Sequence, residues 1–341
     1  MKKTILITGS AGFIAHHVVR KVITQTDWNI VCLDRLDFSG DLNRLQEILE
    51  DCSVEDRKRV RVVHHDLKAA ISPQLSKKIG TVDYIAHLAA GSHVDRSIDY
   101  PMEFVLDNVV GTANILDFAR TIPELELFVY FSTDEVFGPA PEGINYKEND
   151  RYNSTNPYSA TKAGGEELVV AYQNTYGLPA AITHTMNVFG ERQNSEKYIP
   201  MCISKIMAGE TVTIHSNKEK TKAGSRHYIH AADVASALLY IVDNFRDFPE
   251  EVDFGGAKCP KFNIVGSQEL DNLQLAQKIA DALDKPLKYK MVDFHSARPG
   301  HDLRYALSGE KMKKLGWEPG DITENLKSTV SWTVDNDRWL L

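Results

Sequence analysis

The chain has few of the features that would place it outside ordinary globular proteins. Only four of its 341 residues are cysteine, and Cys32, Cys52, Cys202 and Cys259 stand far apart with no CxxC pair. That spacing suggests neither a zinc site nor a disulfide framework, and it predicts a reduced, cytoplasmic setting. No stretch reaches the ~18 uninterrupted apolar residues of a membrane-spanning helix. The apolar run after Met1-Lys2-Lys3 ends at Thr8-Gly9, too early for a secretory signal, and reads instead as a buried strand. Positive charge is in deficit, with 39 Lys and Arg against 47 Asp and Glu for a net charge of −8. Broad binding to nucleic acid or to an anionic membrane is therefore not expected, since both recruit an excess of Lys and Arg. There is no internal repeat and no low-complexity tract. What is present, 43% hydrophobic and 25% charged residues, suits one large domain or two smaller ones.

From residue 1 to about 186 short apolar runs alternate with longer helical patterns, which predicts a parallel sheet with crossover helices. Strands are expected at Thr4–Thr8, Ile30–Asp34, Val60–Asp66, Tyr84–His87, Leu127–Thr133 and Ala180–Thr185. Helices should begin near Gly12, Asp41, Pro73, Pro101 and Pro157, proline being favourable in a first turn where its missing N–H has no partner to lose. The expected fold is α/β, a Rossmann-type doubly wound parallel sheet over residues 1–186. A smaller C-terminal α/β substrate domain follows over 187–341, with some of that chain returning to the first. In this second part helices are expected at Ile199–Ala208, Asp233–Phe245 and Leu270–Leu283. Short strands are expected near Thr211–Ile214, Lys261–Val265 and Leu287–Met291, and a surface loop over Ser216–Arg226.

Gly9-Ser10-Ala11-Gly12-Phe13-Ile14-Ala15 lies between the first strand and the first helix, the context of a dinucleotide fingerprint. Gly9 permits a tight turn and Gly12 lets the backbone approach a pyrophosphate at the positive helix end. Asp34, closing the second strand, is placed to accept hydrogen bonds from ribose hydroxyls, which favours NAD over NADP. The adjacent Arg35 points the other way, since a guanidinium suits a 2′-phosphate. Asp66-Leu67, after the third strand, is an expected adenine contact.

Tyr158 and Lys162, four apart on the helix beginning at Pro157, share a face. A neighbouring ammonium, helped by the positive ring of a bound nicotinamide, should lower the phenol's pKa and let it serve as a base. Thr133-Asp134-Glu135 ends the fifth strand, where open α/β sheets place ligand groups. Two adjacent carboxylates there suit an acid and a base only if their protonation states are pushed apart; otherwise they form a solvated acidic turn.

Taken together, Thr8-Gly9-Ser10-Ala11-Gly12-Phe13-Ile14, Thr133-Asp134-Glu135-Val136-Phe137-Gly138 and Tyr158-x-x-x-Lys162 resemble the extended short-chain dehydrogenase/reductase superfamily. Within it they resemble the nucleotide-sugar 4,6-dehydratases typified by dTDP-glucose 4,6-dehydratase. The resemblance extends through Asp34–Gly40, Ser92–Ser97, Glu196–Pro200 and Arg298–Ala306. It implies NAD as cofactor, bound at Gly9, Gly12, Phe13, Ile14, Asp34, Asp66, Leu67, Tyr158 and Lys162. It also implies a three-step reaction. Tyr158 deprotonates the sugar 4-hydroxyl as hydride leaves C4, and Thr133 holds the resulting carbonyl. Glu135 then removes the C5 proton while Asp134 protonates the departing 6-hydroxyl, and hydride returns to C6. His93, Asn187, Glu196, Lys197, Arg226, Asn263, Arg298 and His301 are the implied substrate contacts, and a homodimer built on helices Glu103–Thr121 and Ala163–Tyr176 is the implied assembly. No metal is expected. The sequence departs from the family wording at Gly91, at Met186–Gly190 and over Lys218–His230, all on the substrate side. The nucleotide and the hexose stay open: dTDP- or UDP-glucose leads, with a UDP-N-acetylglucosamine 5,6- or 4,6-dehydratase or a 4-epimerase as alternatives. A silent NAD-binding sensor or scaffold is the reading from outside enzymology.

Overall fold

The computed structural model describes residues 2–248, 259–293 and 303–341. Six parallel strands carry the first half: β1 (Thr4–Thr8), β2 (Asn29–Asp34), β3 (Val60–His64), β4 (Tyr84–His87), β5 (Leu127–Thr133) and β6 (Ala180–Thr185). They lie in the order β3-β2-β1-β4-β5-β6, with a seventh strand, Lys261–Ile264, outside β6. All seven of β5's residues and all six of β6's are buried, the continuous burial that helices on both faces of a parallel sheet impose. β3 has only one buried residue among its five. Its Arg61 and His64 charge and wet an edge that would otherwise invite pairing. Strand order reverses between β1 and β4, so the crevice at their carboxyl ends is where a ligand belongs.

The first helix, Phe13–Gln25, buries Val18, Val19, Val22 and Ile23. It packs on Val234, Leu238 and Ile241 of helix Ala231–Asn244 within one core. Both Lys261–Ile264 and this later helix belong to the half of the chain expected to form a separate substrate lobe, and both are built into the main sheet and its helical layer. With the Lys261–Ile264 strand numbered β10, the lobe proper carries β7 (Asn187–Phe189), β8 (Val212–Ser216), β9 (Ser225–His230), β11 (Glu269–Asp271) and β12 (Tyr289–Asp293). β7, β9 and β11 form one small sheet and β8 and β12 another. The expected loop Ser216–Arg226 is shorter than predicted, because Ser225–His230 forms β9. Its polar side chains gave no apolar alternation to read. β3 likewise stops at His64, and the Asp66 carboxylate accepts from the N–H of Lys68 in the turn that follows.

Candidate active site

Gly9 adopts φ +67°, and a Cβ there would come within 2.8 Å of the Ala89 backbone, so the turn after β1 admits only glycine. A Cβ on Gly12 would lie 2.9 Å from the Gly9 carbonyl oxygen. Gly12 also caps the 13-residue helix Phe13–Gln25 without any side-chain hydrogen bond, and no acidic residue occupies the first turn. The helix therefore presents its N-terminal amides and its positive dipole end to the crevice, which fits an anionic pyrophosphate. Phe13 and Ile14 are half-buried, Phe13 lying edge-on to His17 at 5.8 Å and Ile14 against the core. Asp34 is buried at the mouth of the turn, its two oxygens accepting from the Ala11 N–H at 2.9 Å and the Leu36 N–H at 2.8 Å. The carboxylate is thereby oriented while keeping lone pairs for a diol, so the residues present fit NAD. Leu67 is buried and its carbonyl accepts from Asn114.

Thr133 closes β5, and Asp134–Phe137 forms a single 3-10 turn. The turn depends on Gly138, at φ +74°, where a Cβ would strike the Asn153 carbonyl oxygen. Thr133 donates its hydroxyl proton to Asp134 Oδ1 at 3.0 Å. Asp134 is 5% exposed, and its Oδ2 has no hydrogen-bond partner among the described residues. Burial pushes its carboxyl up to about 6, against the opposing pull of the Arg226 charge. Glu135 is held differently: its Oε2 accepts from Asn156 Nδ2 at 3.0 Å. Asn156 is itself the N-cap of helix Pro157–Tyr176, in a capping box with Ser159, so one residue starts the helix that carries Tyr158 and orients the neighbouring carboxylate. Sequence reading passed over Asn156, although an Asn before Pro157 is an N-cap signal.

Tyr158 is fixed by its backbone N–H, which donates to Ser97 Oγ at 3.1 Å, and by the Phe104 ring lying edge-on at 6.4 Å. Its phenol is within hydrogen-bonding reach of the Thr133 hydroxyl and close to the charge of Glu135. In the free protein, without the nicotinamide ring, this phenol is not lowered. Burial, and then Glu135, push it above the usual tyrosine range, with Thr133 opposing. Lys162 instead donates to the Phe131 carbonyl oxygen and lies 4.3 Å from the centre of the Tyr130 ring. Burial holds its amine down to about 7, against the raising effect of Glu166 one turn on.

That depression has a consequence for stability. A lysine whose folded value lies below its unfolded 10.5 costs the fold its full penalty below pH 7, less as pH rises toward 10.5, and nothing above it. Lys162→Met should therefore stabilise the free protein by on the order of 1–3 kcal/mol near neutral pH. Thermal melts at about pH 6 and about pH 10 should show this gain shrinking with rising pH; a constant or growing gain would mean that burial of the charge is not its source.

The expected substrate contacts divide. His93, which accepts from the Arg96 N–H at the start of helix Val94–Asp99, lies 3.6 Å from Glu196, and Lys197 lies 4.0 Å from Glu196. These three come together between the β4 loop and the smaller lobe. Asn187 is exposed at the start of β7. Arg226, on β9, donates to the carbonyls of Ser225 and Leu303, stacks 4.5 Å over Tyr305, and acts electrostatically on Asp134. Asn263 is a correction. It is fully buried on the strand beside β6, donating to the Tyr146 and Ser308 carbonyls while its Oδ1 meets His184 Nδ1 at 3.0 Å. With donors and acceptor used internally it braces the sheet and has nothing left for a diphosphate. Arg298 and His301 lie outside the described residues. No group of three or more His, Cys, Asp or Glu among the described residues is placed to hold a metal ion, and no described helix is long and apolar enough to cross a membrane.

Comparison with known proteins bears on this constellation. A dTDP-glucose 4,6-dehydratase of Escherichia coli is 33% identical over 98% of this chain and 94% of its own. The low-salt glycan biosynthesis protein Agl12 of Haloferax volcanii is 35% identical over 98% and 99%. The crystal structure of DesIV, a dTDP-glucose 4,6-dehydratase from Streptomyces venezuelae with NAD bound, superposes with a TM-score of 0.83 at 31% identity, covering 98% of each chain. A Thermus thermophilus UDP-glucose 4-epimerase shares the fold at a TM-score of 0.81 and 24% identity, so fold alone does not separate elimination from epimerisation. The family model described as GDP-mannose 4,6 dehydratase matches residues 6–329, and the chain belongs to that family of short-chain dehydrogenase/reductase-type nucleotide-sugar dehydratases.

Proposed function

We propose that the protein is an NAD-dependent hydro-lyase that converts a nucleoside-diphosphate hexose, foremost dTDP-glucose or UDP-glucose, to its 4-keto-6-deoxy derivative. The observation that carries this reading is the turn after β5, where a buried carboxyl raised to about 6 sits one residue from a second carboxylate held by Asn156. NAD, when bound, supplies the acceptor for the C4 hydride and the donor that returns it to C6. The chain's residues handle the protons. Tyr158 takes the proton of the 4-hydroxyl, and the Thr133 hydroxyl holds the oxygen that becomes the C4 carbonyl. That carbonyl acidifies C5, whose proton goes to Glu135 as base. Asp134 gives its proton to the 6-hydroxyl, which leaves as water. Asp134 suits the acid role because its environment favours the neutral form, and Glu135 suits the base role because an amide donor stabilises its anion. An epimerase forms the same C4 ketone and has no use for an acid and a base at C6 and C5.

Glu196, Lys197, His93 and Arg226 line the approach from the smaller lobe and are the residues we assign to the nucleotide-sugar, together with Asn187. Ile98, Tyr100, Met102 and Leu106 are exposed apolar residues along the helices that lead to Gly111, and they support a homodimer through this face. Cys32, Cys202 and Cys259 are buried as free thiols, which supports a cytoplasmic enzyme. Incubation with dTDP-, UDP-, GDP- and CDP-hexoses should yield, with one nucleotide, a product lighter by one water in mass spectrometry. If every nucleotide-hexose is returned intact, or only its C4 epimer appears, the dehydratase reading is wrong.

A further inference from the structure

We infer that Asp107 is a specificity-determining residue for the dinucleotide: it occupies Arg35 and Lys68, the two cations a 2′-phosphate would need, and so keeps the site for an unphosphorylated adenosine ribose. The inference rests on the NAD site proposed above. The sequence sets two opposed signals side by side, Asp34 for a ribose diol and Arg35 for a 2′-phosphate. In the fold the guanidinium is not available. Arg35 forms a two-pronged contact with the Asp107 carboxylate, its Nη2 at 2.9 Å from Oδ2 and its Nη1 on Oδ1, while its Nε donates to Asp37 at 2.6 Å. Lys68, from the loop after β3, lies 3.3 Å from the same Asp107 oxygen.

Three carboxylates face Arg35, and they are not equal. Asp37 and Asp66 are 39% and 45% exposed at the side chain, whereas Asp107 is 9% exposed. Exposed pairs are screened and hold little; a shielded, two-pronged guanidinium–carboxylate pair fixes geometry as well as charge. Asp107 also comes from a helix, whereas Asp37 and Asp66 lie in loops after β2 and β3. It sits in a single π-helical turn, Leu106–Val110, that interrupts the helix following β4. Such one-turn bulges re-aim a side chain without ending the helix. Room for it is made by Gly91, one of the positions at which the chain departs from its family's usual wording: a Cβ there would meet Asp107 Oδ2 at 3.2 Å and the Phe104 ring at 3.1 Å. Gly91 and Asp107 thus work as one device, the first leaving the space in which the second reaches Arg35.

Titration calorimetry of the full chain with NAD+ and with NADP+ tests this. The unaltered protein should bind NAD+ and discriminate against NADP+. Asp107→Asn keeps the shape and removes the charge; it should cut the preference roughly tenfold or more, chiefly by tightening NADP+. Arg35→Gln alone should leave NAD+ affinity within about threefold, and in the Asp107→Asn background it should cancel the gain for NADP+. An unchanged preference in Asp107→Asn, with the melting temperature kept, overturns the inference, as does a gain that survives loss of Arg35. Should Asp107→Asn not fold, the Arg35→Gln protein decides: a roughly tenfold or larger loss of NAD+ affinity would mean Arg35 serves the adenosine and is not sequestered. An unaltered protein that binds neither dinucleotide overturns the NAD site itself before any variant is compared.

Discussion

Tyr158→Phe should lower kcat by roughly a thousandfold or more for whichever nucleotide-hexose the enzyme accepts, with little change in stability. The size of the effect follows from the lack of a substitute: the other groups acting on the phenol among the described residues are the Thr133 hydroxyl, a far weaker base, and the carboxyls of Glu135 and Asp134, which the proposed reaction uses at C5 and C6. The small change in stability follows from how the residue is anchored. Its position depends on the backbone N–H bonded to Ser97 and on ring packing against Phe104, neither of which the lost hydroxyl touches. Steady-state assays beside thermal melts would show both. Retention of full activity would remove Tyr158 from the chemistry. Burial raises the phenol of the free protein, and the positive ring of a bound dinucleotide would supply a charge that favours the phenolate beside that of Lys162.

Asp134→Asn and Glu135→Gln should each depress product formation by about 100- to 10,000-fold while sparing C4 oxidation. The separation is the informative part. Both variants should still reduce the bound nicotinamide when substrate is added, visible as near-ultraviolet absorbance, and should stall before water is lost. Asp134 also sets a pH dependence. Raised from 3.8 to about 6 by burial, it keeps its proton well above the ordinary aspartate range and loses it as pH climbs through 6. Elimination should therefore weaken on that alkaline side while C4 oxidation does not, and in Asp134→Asn the residual elimination should lack this limb. Loss of nicotinamide reduction in either variant would show that the carboxylates serve the first step, and elimination would then need another acid.

Most of the sheet was legible because burial on both faces favours short, largely apolar runs: Leu127–Thr133 and Ala180–Thr185 have the bounds expected of them, although β6 ends on Thr183, His184 and Thr185. The fingerprint and the Thr133–Glu135 turn were legible for the opposite reason, since Gly9, Gly12, Asp134 and Glu135 make no sense as core. Three things were not legible. β9 reads as polar because only Tyr228 and Ile229 interrupt its Ser, Arg and His residues, and its partners β7 and β11 lie far along the chain. Asn263 carries the residue type of a ligand contact, yet what it bonds to is decided by Tyr146, Ser308 and His184, all distant in sequence. Asp107 looks like a surface residue of an amphipathic helix until the π-helical turn redirects it. In each case a partner far along the chain settles the role, and local pattern holds no record of it.

The strand Lys261–Ile264 has a bearing on how the molecule is made. It completes the sheet by pairing outside β6 in parallel, and helix Ala231–Asn244 closes the layer over the first helix. A chain emerging from the ribosome therefore leaves β6, every residue of which is buried in the finished fold, as an open edge long after the turn at Gly9 and Tyr158 have been synthesised. Contacts of such sequence separation slow folding, and unpaired edges of this kind attract other chains. Until Ile264 has been added that edge has no partner strand, so the half of the chain that bears Tyr158 is completed only by residues from the later half.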